Sequence, residues 1–475
     1  MTSPFELLSL IIAVPFVGML FALSAKEDEA HPGRNVFNVS MFTIIVNLTV
    51  LWRIFMKLDL DKPGLQLVER FNWLANPQID IIFGVDLFSL ILILALHLAY
   101  LIGLVGLRHY QIPRKSLLVF ALLFLSMFTG FLVAADIFSF YIFFEAMLLP
   151  LFMMIGMFGE VRKPGAIYRF FIYNLIGAVI LFSAVMLLYQ YQNGVVAIRA
   201  LSSVRLGHHM EYYIWTSLFL ALLSRLPIWP FHYWISSINA GLRNPLVFVI
   251  ANMLPLTGVY GFIRFLPSSL PDFVEYYVMI LEIVAVITIL FIALISFINK
   301  DFQYKLFAFV TVYYLMYLLV ILPGTSPVLH NVGFSFFSFV LIVAGLEVLT
   351  YHIHRQQERL DSSSEGLLCA VPRLSFVYSF FVLAAIGLPL SSLFLNNFVI
   401  LSRLFGNNLQ IGLLVVLAIL LIASAFLQEL FRLKTRNVNC SGDPDDISKA
   451  NFAFMLLVIF ILVMSMVRPL WFMGV

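Results

Sequence analysis

The chain has 475 residues and a formal net charge of +3; 62% of it is hydrophobic, only 11% is charged, and its mean hydropathy is +1.01. Soluble globular chains are about half apolar and about a quarter charged, so this composition excludes a soluble enzyme, and it lacks the charge that disorder or nucleic-acid binding needs. What is left is a polytopic membrane protein. Its two cysteines, Cys369 and Cys440, supply neither a disulfide framework nor the ligands of a metal or iron–sulfur centre.

A membrane-spanning helix needs about 20 mostly apolar residues. Runs of that kind predict fourteen helices, at 5–25, 38–56, 81–107, 115–134, 137–158, 166–190, 214–239, 244–266, 273–298, 302–322, 328–353, 373–403, 409–431 and 452–468. The predicted class is therefore all-α, a single transmembrane domain over 1–475. Met1 to Glu6 carries no Lys or Arg, so the first run reads as a retained span rather than a signal peptide. Loops that follow odd-numbered spans hold 18 Lys and Arg and those after even-numbered spans 8, which places the odd loops on the cytoplasmic or matrix side. The polar stretch 191–213, with Arg199, Arg205, His208 and His209, reads as a surface loop or an amphipathic helix.

Two spans are interrupted. The seventh contains Arg225-Leu226-Pro227-Ile228-Trp229-Pro230, the twelfth Gly387-Leu388-Pro389-Leu390-Ser391-Ser392. Proline removes a backbone donor and clashes with the preceding turn. Breaks at corresponding places in two halves mark a transporter built from repeats, here predicted at 115–266 and 273–431; simple bending is the plainer alternative. Four ionisable residues fall at membrane depth: Glu145, Arg225, Glu282 and Glu347. Each is costly facing lipid, so each is a functional candidate. Glu145 and Arg225 are of opposite sign and are expected to approach each other across the fifth and seventh helices. Glu347, close to His352 and His354, suits an interfacial position equally well.

The stretches that carry a resemblance are Gly84-Val85-Asp86-Leu87-Phe88-Ser89-Leu90, then Ala135 to Pro150 with Phe144-Glu145-Ala146-Met147-Leu148-Leu149-Pro150, then Arg225 to Trp234 with Pro230-Phe231-His232, and Gly387-Leu388-Pro389. They are similar to "GIDGISL", "LDLFLFYVFWEAMLIP", "KVPMFPFHTWLP" and "GLPGLSGFVGEF". Those are motifs of the antiporter-like membrane subunits of proton-pumping NADH:quinone oxidoreductase (respiratory complex I). The acid followed by Leu-Leu-Pro points to chain 4 of mitochondria or chain M of bacteria rather than to the sister subunits.

The resemblance implies a proton channel with no redox centre or cofactor of its own. A lysine–glutamate pair on the fifth and seventh helices would lead through a central lysine to a distal acid on the twelfth. Here the pairing lysine is Arg225, the central lysine aligns at Leu256, an eleventh-helix histidine falls near Ser338, and the distal acid is Asn397. The turn that follows His232 reads Ile238-Asn239-Ala240-Gly241-Leu242. Nearby replacements are Lys305, Tyr313, Tyr314 and Glu347. The pathway residues expected are thus Glu145, Arg225, His232, Lys305, Glu347 and Asn397. The implied partners are other membrane and peripheral subunits of the complex, sister antiporter-like subunits among them, and the lipid bilayer, with no nucleic acid. The implied location is a bacterial inner membrane, or else the mitochondrial inner membrane. Two rivals stay open: a subunit of a cation/proton antiporter assembly, and a structural paralogue that no longer conducts.

Overall fold

A computed structural model of the chain describes residues 6–26, 33–75 (61 and 63 aside), 78–107, 115–158, 164–198 (193, 195 and 196 aside), 207–265 (240, 241 and 243 aside), 272–322, 329–360, 366–434 and 446–467. In chain order the elements are α1 (Leu7–Ser24), α2 (Arg34–Lys57), β1 (Gln66–Ala75), β2 (Gln78–Val85), α3 (Leu87–Leu107), α4 (Lys115–Val133), α5 (Ile137–Ala146), α6 (Leu148–Phe158), α7 (Pro164–Gln192), α8 (His208–Arg225), α9 (Tyr233–Asn239) and α10 (Pro245–Phe265). There follow α11 (Asp272–Ile298), α12 (Phe302–Ile321), α13 (Leu329–Leu360), α14 (Leu367–Ala370), α15 (Pro372–Ile386), α16 (Ser392–Asn407), α17 (Leu409–Lys434) and α18 (Lys449–Val467). Among the described residues, twelve helices are long and apolar enough to cross a membrane, α5 and α6 counting as one. In hydrocarbon every backbone N–H and C=O has to be satisfied internally, which is why these apolar runs are helical. The seventh and twelfth predicted spans fall on the interrupted pairs α8–α9 and α15–α16. Of the polar stretch 191–213, residues 193, 195, 196 and 199–206, Arg199 and Arg205 among them, lie outside the described residues, while the part from His208 onward is the first turns of α8.

Burial separates an axis from a periphery. The apolar window of α10 is wholly buried and those of α12 and α13 are 94% buried, against 17% for α18. The outer helices turn apolar stripes outward, as Ile283, Ile287, Phe291 and Leu294 do on α11 at helical spacing. Glu282 sits half-buried at the edge of that stripe.

One predicted boundary is wrong. The run read as a helix from 81 is strand to Val85, pairing antiparallel with β1, with Arg70 opposite Ile82 and Asn72 opposite Asp80. The Arg70 guanidinium bonds the Asp80 carboxylate. A continuous apolar run does not by itself tell strand from helix. Here the β-branched residues Ile79, Ile81, Ile82 and Val85 favour the strand. Asp86 then restarts a helix, its Oδ1 accepting the Ser89 N–H at 2.8 Å. The hairpin is joined to the bundle at Asp136, whose carboxylate accepts the N–H groups of Ile82 (2.8 Å), Phe138 (2.9 Å) and Ser139 (2.8 Å).

The fifth predicted span is likewise two helices, α5 and α6, parted at Met147. Pro150 has no N–H to return to the Ala146 carbonyl, so the ladder opens just after Glu145. Helices α7 and α8 meet at Gly177, where a Cβ would stand 1.9 Å from Ser224 Oγ, one residue before Arg225. Gly177→Val is therefore expected to force the two helices apart, at about 1–3 kcal/mol for overpacking. The measurement is the thermal midpoint of the chain in detergent, which should fall; an unchanged midpoint would mean the contact is slack.

Candidate functional site

At the first break α8 ends on Arg225 and α9 resumes at Tyr233. Pro227 and Pro230 cannot continue the ladder. The break is tied at both edges: the Trp229 N–H donates to Thr288 Oγ1 of α11 at 3.1 Å, and Trp234 Nε1 donates to the Ser224 carbonyl at 3.1 Å. Arg225 is completely buried. Its Nη2 donates to the Phe144 carbonyl of α5 at 2.8 Å, and its guanidinium carbon lies 3.9 Å from the Phe144 ring centre. The cation thus reaches the turn that carries Glu145 but bonds the backbone there. Among the described residues no ion pair within 4 Å joins Arg225 to Glu145. Arg225 Nε and Nη1, Glu145 Oε2 and His232 Nδ1 are buried without a hydrogen-bond partner. Unsatisfied buried atoms are costly unless they serve a purpose.

At the second break α15 closes on Gly387, whose φ of 90° lies in the left-handed region that a side chain would resist. Asn397 on α16 donates through Nδ2 to the Tyr313 hydroxyl at 2.8 Å. Tyr313 adjoins Tyr317, which bonds Ser335, and Tyr314 donates to the Asn252 carbonyl of α10 at 2.9 Å. Ser338, at the position where the resemblance implied a histidine, bonds Ser392 at 2.5 Å and Ser465 at 2.9 Å. These hydroxyls can relay through hydrogen bonds but carry no charge near neutral pH. Leu256, one turn beyond Asn252, is buried and apolar.

A third group lies at the start of α12. Glu347 is only 1% exposed. It accepts from Gln303 Nε2 at 3.1 Å, and the same amide donates to the Leu242 carbonyl at 2.8 Å. Lys305 turns the other way, toward α17. Its ammonium donates to the Ala425 carbonyl at 3.1 Å and stands 3.7 Å from Glu429 Oε2, while Glu429 Oε1 receives Arg432 Nη2 at 2.5 Å. Lys305 and Glu347, grouped by their place in the sequence, are therefore held by different partners. Glu429 was not singled out from the sequence. An acid inside the thirteenth predicted span, one turn before Arg432, was the available signal. No hydrogen bond among the described residues joins Glu282 to any of the three groups.

A family model described as NADH:quinone oxidoreductase/Mrp antiporter, transmembrane, matches residues 134–423. NADH-ubiquinone oxidoreductase chain 4 of Marchantia polymorpha is 25% identical over 424 residues, 87% of this chain and 83% of its own. NADH-quinone oxidoreductase subunit M of Rhodobacter capsulatus is 26% identical over 435 residues, 88% of this chain and 84% of its own. Among solved structures, a chain of respiratory complex I from Thermus thermophilus with bound NADH superposes with a TM-score of 0.85 at 22% identity, covering 98% of this chain and 97% of that one. A chain of the Mrp complex from Dietzia sp. gives 0.80 at 14% identity, covering 96% of this chain and 50% of that one. At these identities the superpositions establish a shared fold.

Proposed function

We propose, for a chain that belongs to the NADH:quinone oxidoreductase/Mrp antiporter transmembrane family, the role of a membrane-arm subunit of an NADH:quinone oxidoreductase, contributing to proton translocation coupled to quinone reduction. The observation that carries this reading is the pair of interrupted helices, each lined by buried polar groups. Glu145, Arg225 and His232 stand at the first, and Asn397, Tyr313 and the Ser338–Ser392 pair at the second. In the proposed mechanism electrons pass through other subunits, and this chain holds no redox centre. Glu145 takes up and releases a proton, and Arg225 is the fixed cation that tunes it. Counting α8–α9 and α15–α16 as spans gives fourteen. Two repeats over 115–266 and 273–431 are supported by matching contacts: α4 packs on α5 and α10, and α7 on α8, as α11 packs on α12 and α17, and α13 on α15. Odd loops would face the cytoplasm or matrix, and the home would be a bacterial inner membrane or its mitochondrial counterpart. Sister antiporter-like subunits and the peripheral subunits would be the neighbours.

The second reading, a cation/proton antiporter assembly, draws support from the Mrp likeness and from the absence of an acid at Asn397. Purification from native membranes separates the two. The chain is expected to emerge with NADH-oxidising and iron–sulfur subunits. Isolation with antiporter subunits alone, and no NADH oxidation, would replace the first reading with the second.

A further inference from the structure

Outside the two breaks, the ends of α12, α13, α15 and α17 enclose a cavity of about 210 Å³. The ionisable side chains around it are Lys300 and Asp301 before α12, His354 on α13, Tyr378 on α15, and Glu429 and Arg432 on α17. The side chain of Glu429 is 4% exposed, so the cavity ends on a buried carboxylate. Lys305 lies beyond it, 3.7 Å from the far carboxylate oxygen. We propose that this cavity is an aqueous mouth of the second repeat, and that Lys305, opposite Glu429, is the group that takes up and releases a proton there. The inference rests on the reading of the chain as a proton-translocating subunit.

The argument is one of charge and geometry. Among the described residues Lys305 is the one lysine that is buried. Its carboxylate is already served, because Arg432 Nη2 holds Glu429 Oε1 at 2.5 Å. Arg432 keeps Glu429 paired whatever the charge on Lys305, so Lys305 can become neutral without stranding Glu429; Asp301 and Lys300, on the same cavity, are the other charges near it. Arg432 cannot take that part, since a guanidinium keeps its proton at any working pH, whereas a buried ammonium gives it up readily. The Lys305–Glu429 separation exceeds a direct hydrogen bond, so this pair is looser than the Arg432–Glu429 pair. In the first half the buried cation beside the break is Arg225, which has the same limitation as Arg432. The group able to exchange a proton at the end of the second half is thus a lysine on α12, not the residue at Asn397.

The test uses the whole complex in sealed membranes, with quinone reduction and proton uptake measured together. Lys305→Met and Lys305→Arg are both expected to keep NADH-driven quinone reduction in the presence of an uncoupler and to lower the protons moved per quinone. Arginine restores the charge, so a merely structural cation would be rescued by Lys305→Arg. Wild-type proton yield in either variant overturns the proposal. In a chain with Cys369→Ser and Cys440→Ser, Thr350→Cys on the cavity wall should react with a water-soluble maleimide applied from the Lys300 side. Failure to react, while Lys300→Cys does, removes the aqueous mouth. If the wild-type complex neither reduces quinone nor moves protons, the underlying reading fails first and takes this one with it.

Discussion

Glu145→Gln in the assembled complex is expected to abolish the proton translocation that this chain contributes. Glutamine matches the size and hydrogen-bonding reach of glutamate but cannot carry the proton. At the first break Glu145 is the one carboxylate among the described residues, and Arg225 cannot stand in for it. Arg225 is permanently charged, its Nη2 is committed to the Phe144 carbonyl, and an imidazole at His232 has no hydrogen bond from Nδ1 to a protein group that would pass a proton on. Glu347→Gln is expected to leave the yield near wild type. Its main contact, acceptance from Gln303 Nε2 at 3.1 Å, survives in a carboxamide. Proton uptake and quinone reduction, measured on the same vesicles, check both. The reverse pattern, with Glu347→Gln silent for quinone but fatal for pumping and Glu145→Gln harmless, would move the path wholly into the second half. If neither substitution matters and the complex assembles, the chain is a spacer. Arg225→Met is the companion: it leaves Glu145 without its cation and the Phe144 carbonyl without its donor, so assembly itself should suffer.

The helical architecture was legible because hydrocarbon leaves the backbone few choices: apolar runs of the right length become helices. The breaks were legible because proline says where a ladder stops. Local competition defeated the pattern at two points. At 81–85 a β-branched run is as apolar as a helix, and only the pairing with β1, distant in neither space nor sequence, decides for strand. At Met147 the break comes from Pro150, a residue quoted for its resemblance but not read for its missing donor. The site was half legible. Single charges inside spans stand out in a sequence, so Glu145, Arg225 and Glu347 were found. Partnership does not stand out: Lys305 and Glu429 are 124 residues apart and meet only because α12 packs on α17. The serine trio of Ser338, Ser392 and Ser465 was invisible for the same reason, since hydroxyls in apolar helices usually bond their own backbone.

Breaking the largely buried ion pair between Asp86 and Arg264 is expected to cost several kcal/mol of stability. Arg264 closes α10 and reaches Asp86 at the head of α3 through two bonds, Nη1 to Oδ2 at 2.5 Å and Nη2 to Oδ1 at 3.0 Å. The same carboxylate caps α3 through the Ser89 N–H. The guanidinium also lies 4.7 Å over the Tyr260 ring, and the Tyr260 hydroxyl donates to the Leu132 carbonyl of α4 at 2.6 Å. The pair therefore joins α3 to α10, and Tyr260 beneath the guanidinium ties α10 to α4. The two side chains are 18% and 13% exposed, which is buried enough for desolvation to decide the outcome. Asp86→Ala strands the cation and removes the cap, a loss of about 3–5 kcal/mol for a broken buried pair and about 1 kcal/mol for the cap. Asp86→Asn keeps the cap and should cost less. The double change Asp86→Asn with Arg264→Leu removes both charges and should recover much of the loss, because a buried pair replaced by apolar groups is often near neutral. The thermal midpoint of the purified complex, with the amount of this chain retained in it, reads these three variants together with Arg264→Leu alone, the other single change of the pair. A double variant that loses as much as the two single variants added together would mean that the charges do not act on each other, and that Asp86 matters only as the cap of α3.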